Sequence, residues 1–305
     1  MSVAESTPLS ESDRARLRAV VGGQDCDPDR PLFAVDSATW RVQREAALLL
    51  AGGRALLLQV AHPLVAAGVA AHSDFEARPL DRLRRTLELT LEVVFAPAGD
   101  ALRAVQAIEA VHDRVRGRLE ASIGPFAEST PYDADQPPLL WWVYATLLDS
   151  SVVGYRRFVG PLDEATCEAL YRESAVASRL FGIPDAVRPP DWPSFQRWFG
   201  QEVERLVVGD QGRAVAEAVL SPSLPWGLTA FSGVLRFASL ALLPPSLREQ
   251  YGVMASPRAD RRLEQLARLS RAVCMLLPGP VRRFPRARRA LRSARSGRTP
   301  AAGNT

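Results

Sequence analysis

The sequence predicts an all-α fold built as one large multi-helix domain, on three observations. Apolar residues recur at three-and-four spacing over most of the 305 residues, as one face of a helix requires. Gly-Pro and Pro-Pro pairs fall between those periodic segments, where helices stop. No alternating period-two run of useful length is evident, so no substantial sheet is expected.

Taken in order, residues 1–35 read as a polar N-terminal segment without the apolar stretch of a signal peptide. Helices are predicted over residues 38–60, 63–71, 79–95, 100–122, 137–158, 163–181, 193–208, 211–220, 226–242 and 257–277. Asp100 is the N-cap candidate for "ALRAVQAIEAV", and "PLDEAT" puts acidic residues into a first turn at 163. Stops are expected at Gly124-Pro125, Gly160-Pro161, Gly182 and Pro244-Pro245. The domain spans 36–292, and residues 293–305, ending "SGRTPAAGNT", are expected to form a disordered basic tail. Between Arg54 and Asp74 the run "ALLLQVAHPLVAAGVAAHS" is uncharged. Gln59, His62 and Pro63 at its centre favour buried helices broken at Pro63 over a membrane span.

Composition excludes several kinds of chemistry. Every basic side chain is Arg, so no lysine is available for a Schiff base. Cys26, Cys167 and Cys274 are odd in number and far apart, which indicates neither a disulfide framework nor a zinc knuckle and fits a reducing cytoplasm. Neither G-x-S-x-G nor a phosphate-loop glycine pattern occurs. The pI of about 9.3 comes from the tail: ten arginines and no acid follow Glu264, and removing those ten from the formal +4 leaves residues 1–264 at −6. The tail is a solvated helix end or a weak contact for anionic lipid or nucleic acid; a specific nucleic-acid site is not expected.

Three clusters could carry function. His112 shares the spacing of Val105, Ile108, Val115 and Leu119, so it is expected in the interior. It is either a core histidine satisfied by a carbonyl or carboxylate, or a metal or haem ligand. Glu109 and His112 form E-x-x-H, but a di-iron centre needs a second such pair and the sequence has none. Arg82, Arg85 and Thr86 lie on one face of the 79–95 helix, able to serve a buried anion or to pair with Asp81 or Glu88. The small residues around His62 allow a second helix or a flat ligand to approach closely; His62 marks a helix break and His72 a cap or turn.

The order of "REAALLLAGGRALLLQVAHPLVAAGVAAHSDF", "RPLDRLRRTLELTLEVVF", "AVHDRVRG", "YDADQPPLLWWVYATL", "DWPSFQRWF" and "LLPPSLREQYG" resembles the DUF2236 family, over roughly residues 38–290. That family includes the fungal MpaB-type oxygenase and the rubber oxygenase called latex clearing protein. The resemblance implies a globin-like helical core with extra helices, a haem b cofactor, and use of O2 on an apolar, unsaturated or isoprenoid substrate. It implies His112 as the axial iron ligand, with Glu109 or a carbonyl behind it. Arg82 and Thr86 would bind the cofactor, and Arg85 and Thr86 would act on the distal side. Arg85 stands where the latex clearing proteins carry a distal lysine, and a catalytic base would correspond to Asp74 or Glu76. A haem or lipid carrier and a cofactor-free helical scaffold are the competing readings.

Overall fold

Helix-forming runs bounded by caps and prolines produce fifteen helices among the described residues. The computed structural model describes residues 8–23, 26–72, 79–220 and 229–296, without the side chains of 79–83, 229–231 and 293–296. The helices are α1 (Glu11–Val20), α2 (Ala38–Gln43), α3 (Leu49–Ala61), α4 (Pro63–His72), α5 (Pro79–Phe95), α6 (Ala98–His112), α7 (Pro137–Phe158), α8 (Glu164–Leu180), α9 (Trp192–Arg205) and α10 (Asp210–Leu220). They continue as α11 (Thr229–Ala241), α12 (Pro245–Gln250), α13 (Pro257–Leu276), α14 (Gly279–Arg282) and α15 (Pro285–Ser296). The all-α expectation holds. A two-stranded antiparallel ribbon, β1 (Arg116–Arg118) with β2 (Pro131–Asp133), is the sole sheet among the described residues.

Three boundaries differ from the sequence reading, each for a local reason. The 38–60 segment is broken at Glu45, whose backbone is extended and whose buried carboxylate lies 3.3 Å from both Arg44 and Arg282. Helix α6 begins at Ala98 after Pro97, so Asp100 is a first-turn acid paired with Arg103 rather than the cap. It ends at His112, ten residues before the expected stop, where the chain turns into β1. Helices α1, α12, α14 and α15 lie outside the predicted set. α1 starts on a capping box between Ser10 and Asp13.

Helix α3 is the axis of the fold, packed against α4, α7, α10 and α11. Small residues permit this: a Cβ on Gly53 would collide with Ser239 of α11. One core gathers Trp141, Trp192, Phe195 and Phe199 with Leu57 and Leu58 of α3. A second joins Leu17, Trp40, Phe95, Leu102 and Phe284, so α1 and α15 close the domain from opposite ends of the chain. No single described helix is long and apolar enough to cross a membrane. The 46–61 and 63–72 segments pass such a test only as a pair bent by 100°, and most of their side chains are buried in the protein.

The C-terminal helix is attached by Phe284, Ala287 and Ala290 in the second core and by a 2.9 Å ion pair between Arg286 and Glu92. Truncation after Ser293 keeps these groups and is expected to leave the melting temperature unchanged. Truncation after Leu277 also removes Arg282 from the buried Glu45 carboxylate and is expected to cost about 3–5 kcal/mol in chemical denaturation.

His62 occupies the α3–α4 corner, its ring beside Phe126 and Trp142 and its Nδ1 buried without a hydrogen-bond partner. Burial lowers its pKa from 6.5 to about 4. The native state therefore resists protonation that the unfolded chain accepts. Stability should be lost as the pH falls from about 6.5 through about 4, by up to about 3 kcal/mol. Urea midpoints of wild type and His62→Gln across that range should converge toward low pH. Parallel curves would show that His62 does not drive the loss.

Candidate functional site

A two-residue link at 96–97 folds α5 and α6 back along each other, and the two helices pack together. The start of α5, with Arg82, Arg85 and Thr86, therefore lies at the same end of the hairpin as the finish of α6, with His112.

His112 is placed at the outer end of the α6 stripe rather than in its middle. Val105 above it is fully buried, whereas the His112 side chain is 31% exposed and its Nδ1 lies 3.6 Å from Oδ1 of Asp135. Asp135 sits between β2 and α7, so the ribbon that interrupts the predicted helix is what delivers it. Burial pushes the Asp135 carboxyl above its ordinary range, against the opposing pull of His112. Glu109 does not stand behind the imidazole. Its carboxylate is held by the Arg16 guanidinium of α1, which also donates to the Leu180 carbonyl at 2.7 Å.

Between α3, α5, α7, α10 and α11 lies a cavity of about 470 Å³, within the size range of small-molecule sites. Its walls are mainly aliphatic, from Leu49, Leu56, Leu87, Leu91 and Leu147. Gln43, Ser150, Ser151, Thr86 and Thr90 supply hydroxyl and amide groups, and Arg84 and Arg236 add guanidiniums. Gly52 belongs to the wall, and a Cβ there would meet nothing within 4 Å; any side chain would project into open space.

Of the residues singled out from the sequence, Thr86 lines this cavity. Arg85 is exposed, and neither it nor His112 belongs to the lining. The side chain of Arg82, and Asp74 and Glu76 entirely, lie outside the described residues. His72 ends α4, exposed, with Nε2 3.2 Å from the Arg116 carbonyl oxygen. Among the described residues no three His, Cys, Asp or Glu side chains gather as a metal-ligand group.

The sequence reading passed over a buried polar seam beside the cavity. Arg54 pairs with Asp149 at 2.7 Å and donates to Ser150 Oγ at 2.7 Å and the Leu242 carbonyl at 2.9 Å. Gln59 donates to Thr146, and Gln43 to Ser151. The available signal was Arg54 itself, one charge inside the apolar run "LLAGGRALLLQV".

The helical domain therefore carries a histidine near a carboxylate at the end of α6 and, lined by other residues, an apolar cavity that Thr86 reaches. The family model described as ER-bound oxygenase mpaB/B'/Rubber oxygenase, catalytic domain, matches residues 40–272, and the chain belongs to this oxygenase family. It is also 26% identical over 229 residues to an uncharacterized protein of Mycobacterium tuberculosis and equally to one of Mycobacterium bovis, covering 73% of this chain and 87% of theirs. No solved structure matches the chain.

Proposed function

We propose that this chain is a haem-dependent oxygenase that uses O2 on an apolar, unsaturated substrate of isoprenoid type. The observation that carries the reading is the His112–Asp135 pair at the hairpin end that also bears Arg85 and Thr86, in a chain of the oxygenase family. A carboxylate on one imidazole nitrogen is the usual support of a metal-bound histidine. With Nδ1 turned to Asp135, Nε2 is the atom that would meet the iron. The donor set fits haem, which takes one imidazole, better than a centre that needs several protein ligands.

The chain's own contributions follow from these positions. Asp135, 3.6 Å from Nδ1, would orient His112 by drawing a proton-bearing nitrogen toward it. Arg82 would supply the counter-charge of a propionate, and Arg85 and Thr86 would offer hydrogen-bond donors on the distal side. The cavity reached by Thr86 would take the apolar substrate and exclude water, with Asp74 or Glu76 as the expected base. Haem, when bound, supplies the activation of O2. Arg85 in place of a distal lysine favours one competing reading, a carrier that binds without turnover.

Incubating haem-loaded protein with O2 and isoprenoid alkenes, with mass spectrometry of the products, tests the proposal. O2-dependent carbonyl products are expected. Stable haem with no product from any alkene would leave the carrier. Arg85→Ala should keep the haem and change O2 or imidazole affinity by about 1–3 kcal/mol, the worth of a hydrogen bond to a charged or polarised partner. Arg82→Ala should instead lower haem occupancy. The reverse pattern would overturn these two roles.

A further inference from the structure

Between residues 269 and 281, six large apolar side chains stand in solvent: Leu269, Val273, Met275, Leu276, Leu277 and Val281. Leu276 is 83% and Met275 77% exposed. The remaining exposed large apolar residues, such as Val35, Val111 and Met254, are scattered along the chain, and only the clustered kind marks an interaction surface. Helix α13 buries Leu263, Ala267 and Cys274 against the body. Leu269, Val273 and Leu276, at i, i+4 and i+7, form a second apolar stripe facing away from it.

The chain at this edge is basic, and the acids it meets from other elements are paired, Glu45 with Arg282 and Glu92 with Arg286. No acidic residue follows Glu264, and that carboxylate is already met by Arg157, Arg268 and Arg271. The Arg283 guanidinium lies over Gly279, where a Cβ would come within 2.9 Å of it, so it borders the apolar residues of α14. Arg258 and Arg262, three and two turns before Leu269 on the same face of α13, are exposed. We propose that the α13–α14 edge docks on the surface of an anionic lipid bilayer. The aliphatic stripe enters the boundary between headgroups and acyl chains, and the arginines hold lipid phosphates.

Both halves of the surface point to lipid. An apolar stripe beside cationic side chains is the pattern of an interfacial segment. A symmetric contact with a second copy would set arginine-rich edges against each other. Nucleic acid would use the arginines but has no use for six exposed aliphatic and thioether groups, and no aromatic platform stands among them. The edge runs directly into Phe284, which lines the 470 Å³ cavity. Docking there would set a wall of that cavity close to the bilayer, a source of apolar ligands.

Flotation of the full chain with phosphatidylcholine vesicles, with and without about one third phosphatidylglycerol, tests this. The wild type should float with the anionic vesicles, and added salt should weaken the binding. A triple Leu269→Ser, Met275→Ser, Leu276→Ser variant should lose about tenfold in bound fraction with an unchanged melting curve, because these side chains are exposed. Arg258→Gln with Arg262→Gln should reduce the preference for anionic vesicles. The proposal is overturned if the wild type does not float, or if the triple variant floats equally well. It is also overturned if the stripe proves to hold a dimer by light scattering without vesicle binding, or if duplex DNA binds the wild type and triple variant alike while vesicles do not.

Discussion

In His112→Ala, the Soret absorbance of haem-loaded protein is expected to fall to that of free haem, with occupancy reduced at least about tenfold. His62→Ala and His72→Ala are expected to keep the cofactor. The three histidines differ in setting. His112 is backed by Asp135, the carboxylate that raises the basicity of a metal-bound imidazole. His72 is exposed and turned to a backbone carbonyl of β1. His62 is packed between Phe126 and Trp142 at the α3–α4 corner, with its Nδ1 buried. Asp135→Asn should retain haem but loosen it by about 10–100-fold. Full occupancy in His112→Ala, with loss in His62→Ala, would reverse the assignment.

Arg54→Met is expected to be the most damaging single change to the fold, costing about 3–5 kcal/mol in urea denaturation. The guanidinium is 4% exposed and joins three elements through Asp149, Ser150 and the Leu242 carbonyl. Its removal strands the Asp149 carboxylate, 16% exposed, beside an apolar cavity. The paired variant Arg54→Met, Asp149→Leu should recover much of the loss, because an apolar pair can replace a buried ion pair that one partner alone cannot. A single variant as stable as wild type would show that water reaches and solvates Asp149.

Helix α7 was legible because Pro137 and Pro138 open it, Gly160-Pro161 follows it, and an apolar face runs between them. The end of α6 was not. Val115 and Leu119 fit helical spacing, yet "VRGRLE" at 115–120 also alternates, with Val115, Gly117 and Leu119 turned inward and Arg116, Arg118 and Glu120 out. Positions four apart satisfy both periods, and so short a run is ambiguous. Gly117 was the discriminating residue: a Cβ there would collide with the Tyr132 ring of β2. Because the ribbon was missed, Asp135 was missed with it, and Glu109, one helical turn before His112, looked like the natural partner. Its commitment to Arg16 depends on α1, which the polar N-terminal sequence did not suggest. Long-range pairings such as Arg54 with Asp149 have no signature in local spacing.

If His112 and the neighbouring α5 residues hold a haem, as proposed, the full chain takes up one haem per molecule. The most direct measurement is the absorption spectrum of the full chain, purified and titrated with haem, alongside a pyridine haemochromogen assay of its content. A Soret band that saturates at one haem per chain and is lost in His112→Ala is expected. A wild-type protein that shows no such band, as isolated or after titration, would contradict it.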